Sequence, residues 1–354
     1  MPTVEARRRG TTISTTQTRI GWLDSLRGAA ILLVVLLHAG EALRMAVGPT
    51  PGLDQVNLFL EPFRMPVLMF LSGILLPRSV AKPARTYFAG KVSLVAWPYL
   101  LWSLIILTAT GGLGVGALAQ IAYLSPTYLW YLWFILVFYA AAYPLRRVPP
   151  LAVAGASLAA SVVLPDGGRP GTMTFLAAFF FFGAWCAQHA GMVERAIGRP
   201  WVLALAGVSA VTVGVLAAAG RDVLYRGEFA WGVVGALGVV CWLFPRLGTH
   251  RATAALEFVG RYSIVFYVVH LGPIMGVLAL ADAVGIAGTW LLPVLLVVGV
   301  GIPAGLARVY SLREHASVNL LFELPALKRR PQTAAPDGPR SRDSRAGRMP
   351  GPGA

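Results

Sequence analysis

The chain has 354 residues, of which 56% are hydrophobic and only 13% are charged. Soluble domains carry about 25% charged residues, so this composition excludes an ordinary soluble globular protein. The two cysteines, Cys186 and Cys241, lie in apolar runs, which excludes a secreted disulfide framework. The net charge of +15 leaves nucleic-acid binding open until the positions of the basic residues are considered.

Ten apolar runs follow one another along the chain, each near the 17 to 25 residues that a tilted helix needs to cross a bilayer. They predict an all-α polytopic helical bundle with about ten transmembrane helices. Only a short segment separates the fourth run from the fifth, so an odd number of crossings stays open. The runs cover residues 23–43, 57–76, 92–110, 127–144, 150–164, 171–187, 200–219, 229–245, 257–280 and 289–309.

The basic residues indicate the orientation of this bundle, because Lys and Arg collect in short cytoplasmic loops. With the N-terminus inside, all but five of the 30 basic residues fall in cytoplasmic segments. The five assigned to external segments are Arg44, Arg64, Arg169, Arg221 and Arg226. We therefore expect both termini in the cytoplasm. The lipid bilayer, and not a nucleic acid, accounts for the basic excess.

Three regions follow from these runs. Residues 1–19 form a cytoplasmic segment that lacks the apolar core and cleavage pattern of a removable signal peptide. Residues 20–310 form the transmembrane domain. Residues 311–354 form a basic cytoplasmic tail, which we expect to be largely disordered because Pro, Gly, Ser and Arg dominate its later part.

Ionisable side chains inside the predicted spans mark the candidate site, because lipid tolerates them only when they are paired or face a wet cavity. Arg27 and His38 in the first span are eleven residues apart and so share one helix face. Arg27 lies at the cytoplasmic rim, and His38 lies past the middle of the layer. The alternatives are a histidine satisfied by a neighbouring helix and an arginine that snorkels to the interface.

The ninth span carries a second polar stripe, formed by Ser263, Tyr267 and His270 at positions i, i+4 and i+7. A hydrogen-bonded seam between packed helices would need the same residue types. Glu41 and Glu61 lie near the outer boundary, where they face either a substrate or solvent. No metal site is predicted, and an interfacial aromatic belt is expected to explain most of the Trp and Tyr residues of the fourth span.

Four segments, taken together, resemble the acyltransferase 3 family of integral membrane acyltransferases. They occur in the family's order, and the likeness covers roughly residues 20 to 310. The segments are LDSLRGAAILLVVLLH, FRMPVLMFLSG, WYLWFILVFY and GRYSIVFYVVH.

The resemblance implies transfer of an acyl group, commonly acetyl, from cytoplasmic acyl-CoA to a hydroxyl group. The acceptor is often a carbohydrate of the envelope or a secreted product. Acyl-CoA would be a substrate, with no permanently bound cofactor. The family's essential histidine corresponds to His38 and its basic partner to Arg27. Many members place two basic residues three apart before the third span, whereas Arg85 and Lys91 are six apart here.

The mechanism expected from these residues makes His38 the general base, because acyl transfer to an alcohol needs a group to take the hydroxyl proton. Arg27, Arg85 and Lys91 would hold the CoA phosphates. The stripe of the ninth span would line the opposite wall. We expect a multi-pass protein of a bacterial plasma membrane. The alternative is a secondary transporter or exporter that uses the buried polar residues as a proton or substrate site.

Overall fold

The computed structural model describes residues 21–164, 168–248 and 250–325. Within these ranges the regular secondary structure is entirely helical, which confirms the predicted all-α fold. The α-helices in chain order are α1 (Gly21–Val47), α2 (Pro51–Ile74), α3 (Leu76–Val80), α4 (Ala84–Lys91), α5 (Trp97–Ala109), α6 (Val115–Tyr123), α7 (Trp130–Ala142), α8 (Pro150–Val163), α9 (Arg169–Gln188), α10 (Ala190–Ile197), α11 (Pro200–Ala218), α12 (Ala230–Leu243), α13 (Arg251–Arg261), α14 (Ser263–Val269), α15 (Leu271–Ala283), α16 (Leu291–Leu312) and α17 (Ala316–Phe322).

Seven helical stretches in the described ranges are long and apolar enough to cross a membrane. Helices α7 and α8 are apolar but shorter, and α2 is 24 residues long but carries several charges. Each of the ten predicted spans therefore overlaps at least one helix, and the ninth, 257–280, covers the end of α13, all of α14 and most of α15. The seven stretches are Gly21–Val47, Ala84–Ala109, Arg169–Gln188, Pro200–Ala218, Gly227–Arg246, Ser263–Ala283 and Leu291–Leu312. The protein is a multi-pass membrane protein.

Helix α1 packs closely against α13 because both carry a glycine at the point of contact. A Cβ atom on Gly28 would lie 2.0 Å from the carbonyl oxygen of Leu256, and one on Gly260 would lie 1.8 Å from that of Asp24. No other residue type fits at this separation. This crossing sets the distance between α1 and α13 and therefore the position of α14, which follows α13, relative to α1.

A second close crossing joins α2 to α9. A Cβ atom on Gly73 would meet the carbonyl oxygen of Phe180 at 1.8 Å, and one on Gly183 would meet that of Phe70 at 2.2 Å. The close backbone approach indicated by Ser72 and Gly73 is therefore present, and it holds α2 between α1 and α9.

The compact unit of the structure continues to Leu324, beyond the boundary at residue 310 that the sequence indicated. The indole N–H groups of Trp97 and Trp102 donate to the carbonyl oxygens of Leu320 and Leu321. Phe322 is 1% exposed. Helix α17 thus packs on the domain, since its backbone and its aromatic side chain are both engaged. The predicted segment 1–19 and the later part of the predicted tail lie outside the described residues.

Candidate active site

Arg27 and His38 lie on α1 and are both partly buried, as expected from their shared helix face. Eleven residues at ~1.5 Å each separate them by about 16 Å along the helix axis. A guanidinium N–H of Arg27 lies 3.5 Å from the carbonyl oxygen of Leu71 on α2. Arg27 therefore faces a neighbouring helix of the bundle.

His38 is paired with Glu41 one turn later on α1. The Nδ1 atom of His38 lies 2.9 Å from a carboxylate oxygen of Glu41. The side chain of His38 is 22% exposed and that of Glu41 is 58% exposed. Because Nδ1 donates to the carboxylate, Nε2 is left as the acceptor nitrogen. Glu41 therefore binds His38 in the structure, whereas the sequence indicated that it faces either a substrate or solvent.

His270 stacks on His38, with ring centroids 5.2 Å apart and ring planes 29° from parallel. Its Nδ1 lies 2.9 Å from the carbonyl oxygen of Phe266, and its buried Nε2 has no hydrogen-bond partner. His38 follows Gly28 by ten residues, and His270 follows Gly260 by ten. The glycine crossing of α1 and α13 therefore brings the two imidazoles to the same level.

Two tyrosines hold the histidine pair in place. The ring of Tyr128 contacts both imidazoles edge-on, with centroids 6.4 Å from His38 and 5.7 Å from His270. The hydroxyl of Tyr128 donates to the carbonyl oxygen of Val268, and that of Tyr267 donates to the carbonyl oxygen of Tyr128 at 2.8 Å. These two reciprocal hydrogen bonds join α14 to the segment before α7. Tyr267 therefore has a structural role in the site, through its hydrogen bond to Tyr128.

Aromatic contacts continue from the histidine pair toward Arg27. The ring of Tyr131 lies 5.4 Å from that of Tyr267, and its hydroxyl lies 3.4 Å from the hydroxyl of Ser72. The Nζ atom of Lys91 lies 3.4 Å from the ring centroid of Tyr139. We call this set the polar column. It consists of Arg27, His38, Glu41, Ser72, Lys91, Tyr128, Tyr131, Tyr139, Tyr267 and His270.

The polar column includes most of the predicted site residues but not all of them. Arg85 is exposed on α4 and Ser263 is half-buried at the start of α14. Among the contacts of the described residues, none joins either side chain to the column. Tyr128 and Tyr131 face the interior of the bundle. The sequence instead indicated an aromatic belt at the membrane interface for most Trp and Tyr residues of this span. Their spacing of three residues was the available signal for a shared inner face.

Arg64 is a functional candidate, although the distribution of basic residues assigned it to an external segment. The structure places it inside α2, where it is 3% exposed. Its Nη2 donates to the side-chain oxygen of Asn57 at 2.7 Å, while its Nε and Nη1 have no partner. Glu61 lies one turn earlier on the same helix and is half-buried. The charges of Glu61 and Glu41 act on the guanidinium of Arg64.

Within the described ranges, no group of three or more His, Cys, Asp or Glu side chains could hold a metal ion. The model of the acyltransferase domain family matches residues 20–308, which is most of the chain. No curated protein and no solved structure gives a match. The matched region contains all four segments that carry the resemblance and every residue of the polar column. The chain therefore belongs to the acyltransferase 3 family and is a membrane acyltransferase.

Proposed function

We propose that this acyltransferase moves an acyl group, commonly acetyl, from cytoplasmic acyl-CoA to a hydroxyl group of a carbohydrate acceptor. The proposed location is the plasma membrane of a bacterium. The observation that carries the proposal is the hydrogen-bonded pair of His38 and Glu41. An imidazole whose Nδ1–H is held by a carboxylate, with Nε2 free, is the arrangement that a general base requires.

The reaction follows from this pair. Nε2 of His38 takes the proton of the acceptor hydroxyl while the hydroxyl oxygen attacks the carbonyl carbon of the thioester. The carbon–sulfur bond of the resulting tetrahedral intermediate breaks, and the departing CoA thiolate takes the proton back from the imidazolium. Glu41 accepts the Nδ1–H bond throughout and stabilises the imidazolium between the two proton transfers.

The donor would bind at the opposite end of the polar column. The ammonium of Lys91 lies over the ring of Tyr139, and the charge of Arg27 acts electrostatically on the phenol of the same residue. Two positive groups at one end of the column suit the phosphates of CoA. Arg85 adds charge at the α4 surface. The flexible pantetheine arm would then span the distance of about 16 Å to His38.

The test is CoA release from acetyl-CoA by the purified protein in detergent, with a panel of methyl glycosides as acceptors. We expect His38→Ala to lose at least a hundredfold in turnover while its dissociation constant for acetyl-CoA stays unchanged. His315→Ala, at an exposed histidine outside the polar column, is the matched control. Full activity of His38→Ala would remove the base assignment.

Arg27→Gln tests the donor end separately. We expect a dissociation constant for acetyl-CoA at least tenfold above that of the wild type, because a charge-assisted contact to phosphate is lost. An unchanged constant would remove the anchor role. A transporter would release no CoA in detergent, where no gradient exists, so the same assay separates the two function classes.

A further inference from the structure

The helical stretch that carries Lys91 is not α-helical throughout. Residues Val92–Ala96, between α4 and α5, form a π-helix. The backbone N–H of Trp97 donates to the carbonyl oxygen of Val92, five residues earlier, instead of four. Wide turns of this kind are rare inside α-helices and occur frequently at functional sites. Lys91 is the last residue of α4 before this turn.

The wide turn sets the direction in which Lys91 points. One inserted residue rotates the chain before it by about 100° around the helix axis, relative to the chain after it. Helix α5 is held separately, because the hydroxyl of Tyr99 donates to the carbonyl oxygen of Ile121 at 2.6 Å. With α5 fixed, an uninterrupted α-helix would turn Lys91 away from the ring of Tyr139, over which its Nζ lies at 3.4 Å.

The wide turn leaves the carbonyl oxygen of Ser93 without a donor inside the helical stretch Ala84–Ala109. In an α-helix this oxygen would accept from the N–H of Trp97, which donates to Val92 instead. In a continued π-helix it would accept from residue 98, but Pro98 has no N–H. Backbone carbonyl groups away from water need a partner, so the donor must come from another segment.

The end of the folded unit supplies this donor. The backbone N–H of Leu324 donates to the carbonyl oxygen of Ser93 at 3.2 Å, and the hydroxyl of Ser93 donates to the carbonyl oxygen of Leu324 at 2.6 Å. Helix α17, just before Leu324, is held by the indole groups of Trp97 and Trp102. Docking of Leu324 therefore stabilises the π-helical register, which is the one in which Ser93 needs an outside donor.

The same register docks α4 on α7. The hydroxyl of Tyr87 on α4 donates to the carbonyl oxygen of Tyr139 on α7 at 2.8 Å, and Tyr87 is 2% exposed. The ammonium of Lys91 lies between the rings of these two tyrosines, 5.5 Å from one centroid and 3.4 Å from the other. A ring face attracts the charge without using the N–H donors of the ammonium, so these donors suit phosphate oxygens.

We propose that Ser93 and Leu324 are positioning residues of the donor site, because their two hydrogen bonds hold the helical register that directs Lys91 toward the phosphates of CoA. This inference rests on the proposed function, in which Lys91 binds the donor. Neither positioning residue touches acyl-CoA. Without the two bonds the helix returns to the α-helical register and Lys91 turns away, while His38 keeps its contacts. Donor affinity therefore falls, and turnover with saturating donor does not.

The test compares two substitutions of one residue in the full-length protein in detergent. Leu324→Pro removes the backbone N–H, and Leu324→Ala keeps it while shortening the side chain. The ψ angle of Glu323 is 128°, which is in the range of a residue before proline, so the backbone accepts the change. We expect the dissociation constant for acetyl-CoA to rise about tenfold in Leu324→Pro, because a charged contact to phosphate is lost. Leu324→Ala should bind as the wild type does, and both variants should keep wild-type turnover with saturating acetyl-CoA.

A double-mutant cycle with Lys91→Gln separates positioning from a general loss of stability. If Leu324 acts through Lys91, Leu324→Pro should weaken acetyl-CoA binding no further once Lys91 is replaced. Ser93→Ala is a second variant that removes only the hydroxyl bond and keeps every backbone group. We expect it to raise the dissociation constant about threefold in the wild-type background, since one hydrogen bond is lost, and to have no effect beside Lys91→Gln.

Equal dissociation constants for Leu324→Pro and Leu324→Ala, or the same rise with and without Lys91, would overturn the proposal. Where Leu324→Pro yields no folded protein, Ser93→Ala decides, and wild-type affinity in that variant would overturn it. Unchanged affinity in Lys91→Gln, in a protein that still transfers acyl groups, would overturn the proposal and leave the reaction at His38 intact. A wild-type protein that neither binds acetyl-CoA nor releases CoA with any acceptor would overturn the proposed function itself.

Discussion

The chemistry proposed for His38 depends on the different environments of its two ring nitrogens. Nδ1 is engaged by Glu41, which is close because residues three apart on a helix are neighbours. The ring faces are covered by His270 and the edge of Tyr128. The imidazole is therefore held in one orientation by contacts from α1, α14 and the segment before α7. A base whose orientation is fixed in advance needs no rearrangement at the moment of reaction.

Glu41→Gln tests this orientation at the level of a single atom. The amide keeps the size of the side chain but removes the charge that stabilises the imidazolium. Its N–H group can also donate to Nδ1 of His38, which favours the tautomer with the proton on Nε2. We expect turnover to fall about 10²- to 10⁴-fold with unchanged acetyl-CoA binding, measured by CoA release and by titration. Asp282→Asn, on an exposed carboxylate of α15, should retain wild-type turnover. Wild-type turnover in Glu41→Gln would show that the carboxylate has no role in catalysis.

At the scale of helices, the site exists because glycines set the distance between α1 and α13. Gly28 and Gly260 allow backbone contact, and equal offsets of ten residues then carry His38 and His270 to the same level. The interruption between α13 and α14 follows directly after this crossing. The position of His270 is thus a consequence of a packing contact two to three turns away along the helix pair.

Gly260→Ala should separate the two helices, because the added methyl group would lie 1.8 Å from the carbonyl oxygen of Asp24. We expect a loss of about 1–3 kcal/mol in stability, seen as a lower melting temperature of the detergent-solubilised protein. CoA release should fall as well, since His270 moves away from His38. Gly272→Ala is the matched control, because nothing lies within 4 Å of its added methyl. Equal stability of the two variants would contradict the role assigned to the crossing.

The sequence predicted what lies within one helix better than what lies between helices. Helical periodicity sufficed to put Arg27 and His38 on one face. It did not reveal that Glu41 binds His38. A solvent-exposed carboxylate near the end of a helix can also lie three residues after a histidine without contacting it. Arg64 was counted with the external segments although the predicted span 57–76 contains it, and that span began six residues after Pro51, where α2 begins. The charges in the first turns of α2 hide this start from a search for apolar runs, and only the structure shows that Arg64 is buried.

At the scale of the molecule, the end of the folded domain is set by α17. Phe322 packs against Trp102 and Tyr310, with ring centroids 6.0 and 5.3 Å away. The hydroxyl of Ser93 also donates to the carbonyl oxygen of Leu324 at 2.6 Å. These contacts join the end of α16 to α5 and to the π-helical stretch Val92–Ala96 before it, which follows Lys91.

Two truncations separate the contribution of α17 from that of the residues after it. Ending the chain after Pro325 should leave the melting temperature unchanged, because the compact unit ends at Leu324. Ending it after Leu312 removes α17, and loss of the buried Phe322 side chain alone should cost about 3–5 kcal/mol. Thermal unfolding of the two proteins in the same detergent is the measurement. Equal melting temperatures would mean that α17 does not stabilise the domain.

The direction in which donor and acceptor approach depends on the orientation of the whole bundle, which charge distribution predicts and labelling can measure. Cysteines introduced at Arg147, between α7 and α8, and at Glu194 in α10 should be protected from an impermeant maleimide in intact cells, because both positions are predicted to be cytoplasmic. One at Arg221, in the segment between α11 and α12, should react. The background has Cys186→Ser and Cys241→Ser. Labelling at Arg147 and Glu194 together with protection at Arg221 would show that the bundle has the opposite orientation, and Arg27 would then lie at the outer end of the column.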